Sequence, residues 1–273
     1  MSGIALTTVV GFVSGVLSGA FGIGGGLVTT PAIRLLLGYP ALIAVGTPLP
    51  VILPGAVTGA WAHLRRGSAD LRAGVVLGLG GCVTSVAGAY LSRFAGGTLV
   101  MLVTAGIIGW AAVDMALQQR QVPSDAVPSL GTEEADPDAA LEVSPTGGAR
   151  RTWQRLVAVG LVAGLYSGFL GLGGGFVVVP GLVRYCGFSI RRAIGTSLVT
   201  VAILAVPGTI VHSVLGHVDW LLALTLAVGV VPGAWIGARL SSRASERAVA
   251  LAFAGVLAAT GLWLAVSEIA GLR

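Results

Sequence analysis

The chain has 273 residues, of which 55% are hydrophobic and only 10% are charged. A soluble domain carries roughly 25% charged residues, so the composition excludes a protein with an ordinary water-facing surface. The net charge is +5, but every basic residue is an arginine and these are scattered between apolar runs, which argues against nucleic-acid binding. The apolar runs are about as long as a bilayer-crossing helix, roughly 20 residues, and predict an all-α polytopic membrane protein rather than a β-barrel.

The predicted elements follow the same order in each half of the chain. A first helix ends at a cluster of glycines (4–21 and 156–170), and a short second piece follows (27–37 and 176–185). Three long helices complete each half, over 43–64, 71–93 and 97–117, and over 192–214, 219–241 and 246–267. Residues 1–10 carry no charged side chain, so we expect the first helix to be retained rather than cleaved as a signal peptide.

A polar segment separates the two halves. Residues 119–152 contain four prolines and six of the eleven acidic residues. Such a segment cannot bury enough apolar surface to offset the entropy of ordering it. We therefore predict two transmembrane units, 1–118 and 153–273, joined by a flexible acidic linker.

The two halves are copies of one unit. The stretch SGAFGIGGG (18–26) recurs as SGFLGLGGG (167–175), 149 positions later. Two apolar sequences can look alike by chance, but histidine, aspartate and threonine matched at one offset indicate a duplication. The same offset pairs Pro31 with Pro180, Gly46-Thr47 with Gly195-Thr196, His63 with His212, and Asp70 with Asp219.

The arginines indicate how the two copies are oriented, because cytoplasmic loops are enriched in arginine and lysine. If each glycine-broken pair formed one span, each side of the membrane would hold 8 arginines. If the chain reverses at the glycines, one side holds 13 and the other only Arg34, Arg93 and Arg273. We therefore predict inverted repeats of five elements each, with the linker in the cytoplasm and both termini outside.

Each glycine cluster is predicted to break a helix inside the membrane. Glycine accepts a positive φ and lets the backbone approach a ligand, and a helix that starts there presents free N–H groups and a positive dipole end. The clusters lack the third glycine of a dinucleotide fingerprint and the lysine of a P-loop. Tight helix packing is the alternative, and we prefer it for Gly11, Gly15, Gly19 and their counterparts. We assign to the substrate path Gly24, Gly25, Gly26, Gly173, Gly174 and Gly175.

Three hydroxyl residues near the breaks are the second choice for ligand contact, after the glycines. Thr47 and Thr196 are repeat partners, and Ser197 follows the second of them. Such a hydroxyl caps the N-terminus of a following helix or contacts a ligand. We include all three in the predicted substrate site.

Aspartate and histidine are also repeated together. Asp70 and Asp219 are expected to cap the helices that follow them. His63 and His212 are either solvated or capping residues at helix ends, or carriers of a coupled proton, because histidine titrates near neutral pH.

The charge pattern favours an anion over a cation as substrate. No acidic residue is predicted at mid-membrane, and Cys82 and Cys186 lack metal-ligand spacing, so no metal site is predicted. Two helix N-termini would converge there and attract negative charge. Ser18 and Ser167 are duplicated, but no histidine or aspartate is expected at their depth, which disfavours an intramembrane enzyme.

The pattern SGxxGxGGG followed by a proline, present twice around a polar linker, resembles the TauE/SafE family of sulfite and sulfonate exporters. The resemblance covers 11–117 and 160–267. It implies a multi-pass inner-membrane permease for small organosulfur or other anions, without a cofactor. One departure is visible, since Pro48 and Pro50 replace Ser197 and Val199. The positions that match the family motif are Gly22, Gly24, Gly25, Gly26, Pro31, Gly171, Gly173, Gly174, Gly175 and Pro180.

These observations predict a secondary transporter, in the direction of export, that works by alternating access of two inverted repeats. A passive anion channel and a non-transporting assembly or signalling protein are the alternatives. The expected partners are a small anion and the lipid bilayer, and a homodimer is left open.

Overall fold

The computed structural model describes residues 2–92, 94–95, 97–120 and 148–270. All regular structure in these residues is helical, as predicted, and seven stretches are long and apolar enough to cross a membrane. The eleven α-helices are α1 (Ser2–Phe21), α2 (Gly26–Pro31), α3 (Ala41–Gly46), α4 (Pro48–Leu64), α5 (Leu71–Ser92), α6 (Gly97–Arg120), α7 (Gly148–Leu170), α8 (Gly175–Cys186), α9 (Ile190–Val214), α10 (Trp220–Arg243) and α11 (Glu246–Ile269).

The helix bounds follow the prediction closely, apart from two differences in the first half and longer helices beside the linker. The predicted helix 43–64 is divided at Thr47 into α3 and α4, whereas its counterpart α9 is continuous. Pro48 and Pro50 explain the division, because proline has no N–H to donate and its ring clashes with the preceding turn. In the first half the short piece also continues past α2 as a π-helical turn, Ala32–Leu36.

The helices on either side of the linker extend into its predicted ends. Helix α6 continues to Arg120, and α7 already begins at Gly148. Residues 121–147, which form most of the predicted linker, lie outside the described residues, so its flexibility stays a prediction.

Glycines bring α1 and α10 into backbone contact. A Cβ added to Gly11 or Gly15 would meet the backbone of Leu226 or Val230, and one added to Gly19 would meet Ala234. The partner numbers rise together, so the two helices run parallel. This confirms the packing assignment of these glycines. The second half repeats the arrangement between α7 and α5, where Gly160, Gly164 and Gly168 contact Leu77, Gly81 and Ser85.

These contacts interlock the two halves. Helix α1 of the first half packs on α10 of the second, α7 of the second half packs on α5 of the first, and α6 packs on α11. Helices α4 and α9 cross antiparallel at the centre, because Gly59 faces Leu198 while Gly208 faces Leu49. Each half therefore depends on the other for its buried surface.

The chain reverses at the second glycine cluster, as predicted. Gly174 lies beside Ala163 and Ser167, and further along α8 Gly181 lies beside Val159. At the end of α8 the Arg155 guanidinium donates to the Tyr185 carbonyl at 3.1 Å. Helix α8 therefore runs back along α7.

Several arginine-rich segments meet on one face, which we call the arginine face. The Arg66 guanidinium donates to the Ala238 carbonyl at 2.8 Å, and Arg192 forms a 2.8 Å ion pair with Asp70. Arg191 donates to the Ala244 carbonyl at 2.9 Å. The segments 65–72, 184–192 and 238–247 are thus brought together from both halves.

Elsewhere the helices expose large apolar side chains, such as Val83 (76% exposed) and Leu221 (74% exposed), as expected of surfaces that face lipid.

The close helix contacts predict opposite effects for two glycine-to-alanine substitutions. Gly15→Ala forces a methyl group into the Val230 backbone and should destabilise the protein by about 1–3 kcal/mol. Gly255→Ala in α11 meets nothing within 4 Å and should be neutral or stabilise by up to about 1 kcal/mol. Thermal unfolding of the purified protein in detergent measures both. Equal melting temperatures for the two variants would contradict the described packing.

Candidate functional site

Each glycine cluster is a helix break built from left-handed residues. In the first break φ is 73° at Gly22, 81° at Gly24 and 87° at Gly25. In the second break φ is 67° at Gly171, 80° at Gly173 and 73° at Gly174. Side chains rarely adopt this region, so these six positions require glycine. The last glycine of each cluster, Gly26 or Gly175, is the first residue of the next helix.

The two breaks pack directly against each other. A Cβ on Gly26 would meet the backbone of Leu172, and one on Gly175 would meet the Gly22 carbonyl and Ile23. All residues of 22–26 and 171–175 are buried. The structure therefore brings together the six glycines predicted to line the substrate path.

Two residues that the sequence reasoning missed lie against both breaks. Ile52 of α4 and Val201 of α9 each contact the Gly24 and Gly173 positions, and their side chains are almost fully buried. They are repeat partners, 149 positions apart. Both lie near the middle of their spans, Ala41–Leu64 and Ile190–Val214, so the breaks lie about halfway along the spans. The sequence could not single them out, because an apolar residue in an apolar helix looks like any other core residue.

A cavity of about 600 Å³ opens elsewhere, between α6, α7 and α8. Trp110, Tyr166 and Tyr185 line it together with Pro180, but none of the predicted binding residues does. The breaks themselves are closed in this conformation, and Ile52 and Val201 fill the space between them.

The threonines do not cap the helices that follow them, so that expectation is wrong. Thr47 makes no side-chain bond to α4, and Thr196 lies inside α9. Each hydroxyl instead accepts a hydrogen bond from the other half: Asp219 N–H donates to Thr47 at 3.1 Å and Asp70 N–H donates to Thr196 at 2.9 Å. The threonines therefore lie towards opposite ends of the helices rather than together. Ser197 does reach a break, since its hydroxyl donates to the Gly22 carbonyl at 2.8 Å.

The aspartates cap the helices that follow them, as predicted. The Asp70 carboxylate accepts from Ala73 N–H at 2.9 Å, and the Asp219 carboxylate accepts from Leu222 N–H at 3.0 Å. Asp70 also pairs with Arg192 on the arginine face. The two capping bonds are local, whereas the ion pair with Arg192 joins the first half to the second.

The repeated histidines are fully buried, so the prediction of solvated residues is wrong. His63 Nε2 donates to the Gly19 carbonyl at 3.2 Å, and His212 Nε2 donates to the Gly168 carbonyl at 3.0 Å. Each imidazole thus bonds the residue that directly follows Ser18 or Ser167. The expectation that no histidine reaches the depth of these serines is therefore wrong. The second ring nitrogen is 3.0 Å from Ser68 Oγ in His63 and 3.2 Å from His217 Nδ1 in His212.

These bonds leave no histidine nitrogen for Ser18 or Ser167. Both nitrogens of His63 and of His212 are engaged elsewhere. A serine–histidine pair that could act as a nucleophile is therefore not assembled in the described conformation.

Among the residues that the structure describes, only the first break is held by additional hydroxyls. Ser14 donates to the Gly25 carbonyl at 2.6 Å and Thr29 donates to the same oxygen at 2.7 Å. The corresponding residues of the second half are Ala163 and Val178, which cannot make these bonds. The duplicated breaks thus differ in how their N-cap glycines are held.

This arrangement defines a polytopic helical membrane protein with two buried, mutually packed helix breaks. The profile of the family described as "Sulfite exporter TauE/SafE" matches residues 7–264. The chain belongs to this family of membrane transporters.

Curated relatives carry names of the same kind. "Probable membrane transporter protein YdhB" of Bacillus subtilis is 29% identical over 234 residues, which cover 86% of this chain and 89% of that protein. "Probable membrane transporter protein YunE" of the same organism is 26% identical, covering 86% and 85%. "Probable membrane transporter protein MamO" of Paramagnetospirillum magneticum is 30% identical over 98% of this chain but only 46% of its own length. No solved structure matches the chain significantly.

The difference between His217 and its repeat partner Ser68 predicts a pH effect on stability. Burial lowers the pKa of His217 below its usual 6.5, so the unfolded chain binds a proton more readily than the folded protein does. The neutral His217 therefore favours the folded protein above about pH 6.5, and this contribution is lost progressively as the pH falls from 6.5 through the lowered pKa of the folded state. His217→Ser, which copies the first half, should reduce the drop in melting temperature between pH 7.5 and 5.5. An unchanged drop would contradict the assignment.

Proposed function

We propose that the protein is a secondary transporter that exports a small anion, such as sulfite or a sulfonate, across the inner membrane. The observation that carries this proposal is the pair of buried left-handed glycine breaks in direct contact halfway along the spans. Broken helices at the interface between structural repeats form the substrate site in many secondary transporters. The description of the matching family supports sulfite as the first substrate to test.

The charges around the breaks support an anion. Among the side chains that the structure describes, the acidic ones are Asp70, Asp219 and Glu246, which lie at or beside helix starts. None of the hydrogen bonds described for their carboxylates reaches either break. Helix α8 begins at the second break, and its first N–H groups lack partners within the helix. A buried helix N-terminus without a nearby carboxylate attracts negative charge.

The helix directions support inverted repeats. Helix α4 runs antiparallel to α9, its repeat partner, according to the contacts of Gly59 with Leu198 and of Gly208 with Leu49. Helix α5 runs parallel to α9, and α10 runs parallel to α4. Because α1 is parallel to α10 and α7 is parallel to α5, α1 and α7 run in opposite directions. Rocking of the interlocked halves would expose the breaks to one side of the membrane at a time. Ile52 and Val201 would separate whenever either side opens.

The arginine face supports the sidedness. It gathers arginines from both halves, and because arginine is enriched in cytoplasmic loops, this supports a cytoplasmic position for the face. The described start of α1 and end of α11 then lie on the opposite, outer side. The same arrangement supports the predicted cytoplasmic position of the linker.

The proposal is tested by flux of labelled sulfite into proteoliposomes that contain the purified protein. Gly174→Ala places a methyl group at φ 73° against the Ala163 carbonyl and should abolish saturable flux. Gly187→Ala is the matched control, because this glycine has φ 70° but meets nothing within 4 Å. It should transport at close to the wild-type rate.

Three results would contradict parts of the proposal. Flux that never saturates would favour a passive anion channel. Saturable flux that survives Gly174→Ala would mean that the breaks do not form the path. No flux of sulfite, sulfonates, thiosulfate or carboxylates by folded protein would favour a non-transporting role.

A further inference from the structure

Two serine hydroxyls beside the breaks are buried without a hydrogen-bond partner in the described part of the chain. Ser18 and Ser167 are both 0% exposed, and neither Oγ has a partner. They are repeat partners, so both copies of the repeat leave this buried hydroxyl without a hydrogen-bond partner. A buried hydroxyl without a partner is costly.

Neither serine forms the hydrogen bond that is usual for a serine in a helix, in which the hydroxyl donates to the carbonyl one turn earlier. Ser92 and Ser213 do so, donating to the Ala89 and Thr209 carbonyls at 2.7 and 2.6 Å. Ser18 and Ser167 lie in α1 and α7, where the same kind of carbonyl precedes them. Helical geometry therefore does not explain why they lack partners.

The position of these serines relates them to the breaks. The Cβ of Ser167 is 3.3 Å from where a Cβ on Gly174 would lie, and that of Ser18 is 3.6 Å from the Gly25 position. Gly174 is the N-cap of α8, a helix of twelve residues, and has no side chain to satisfy the first N–H groups. A hydroxyl donor and backbone donors therefore lie side by side at the second break.

Donors of this kind suit one class of ligand. An oxyanion such as sulfite or a sulfonate carries several oxygens that accept hydrogen bonds, and hydrogen bonds to charged oxygens are stronger than neutral ones. Among the described residues, no group of three or more histidine, cysteine or acidic side chains could hold a metal cation. A nucleophilic role is disfavoured because both nitrogens of His63 and His212 have other partners.

We propose that Ser167, with its repeat partner Ser18, donates hydrogen bonds to the transported oxyanion when the breaks open. The two hydroxyls lack partners in the closed conformation because the ligand is the partner. This inference rests on the proposed function, since it assigns side-chain donors to the same site.

The test combines binding and transport, using the full-length protein with sodium sulfite and sodium methanesulfonate as probes. Binding is measured as the rise in melting temperature over sodium chloride at equal ionic strength. Ser167→Ala and Ser18→Ala should each weaken binding and raise the KM for flux about tenfold, the loss typical of one hydrogen bond to a charged group. Ser92→Ala removes an equally buried but partnered hydroxyl and should leave both quantities unchanged.

The two measurements separate this inference from the proposed function. Saturable wild-type flux with an unchanged KM in Ser167→Ala and Ser18→Ala would overturn the serine assignment and leave the transporter standing. Wild-type flux without any anion-dependent rise in melting temperature would also overturn it. Absence of both flux and binding in folded wild-type protein would overturn both proposals.

Discussion

The fold depends on backbone-to-backbone contact between helices of opposite halves. Where α1 crosses α10 and α7 crosses α5, the helices approach so closely that a Cβ on any of three successive small positions would strike a carbonyl. Lipid supplies little hydrophobic drive for helices to associate, so van der Waals contact between small residues has to supply it. Because each contact joins different halves, neither half can bury its first helix alone.

This interlocking also explains where the irregular backbone lies. A break inside a bilayer is tolerated only where protein covers the freed polar groups. Here the breaks cover each other, with Ile52 and Val201 between them, and Ser197 of one half bonds the Gly22 carbonyl of the other. The histidines bind the helices that lead into the breaks at the Gly19 and Gly168 carbonyls. The breaks and the helices that lead into them are therefore held by hydrogen bonds from α4 and α9.

The sequence allowed the helices, their duplication, the reversal at the second glycine cluster and the capping aspartates to be predicted. All of these follow from local composition, from spacing, or from matching one half to the other. Contacts between the halves could not be predicted in this way. A threonine before a proline indicates a local cap, and nothing in its neighbours reveals that Thr47 binds Asp219 instead. The burial of His63 likewise depends on α1, a distant segment. The difference between the halves at Pro48 was visible in the sequence, and it coincides with the division of α3 from α4.

The most direct test of the account is a reversible cross-link across the arginine face. Asp70 of the first half and Arg192 of the second, whose side chains meet at 2.8 Å, would be changed to cysteine after Cys82 and Cys186 are replaced by alanine. Sulfite flux into proteoliposomes is then measured before cross-linking with a short cleavable reagent, after it, and after cleavage. Alternating access of interlocked halves predicts that the cross-link stops flux and that cleavage restores it, with no effect on either single-cysteine variant. Undiminished flux in fully cross-linked protein would contradict the account.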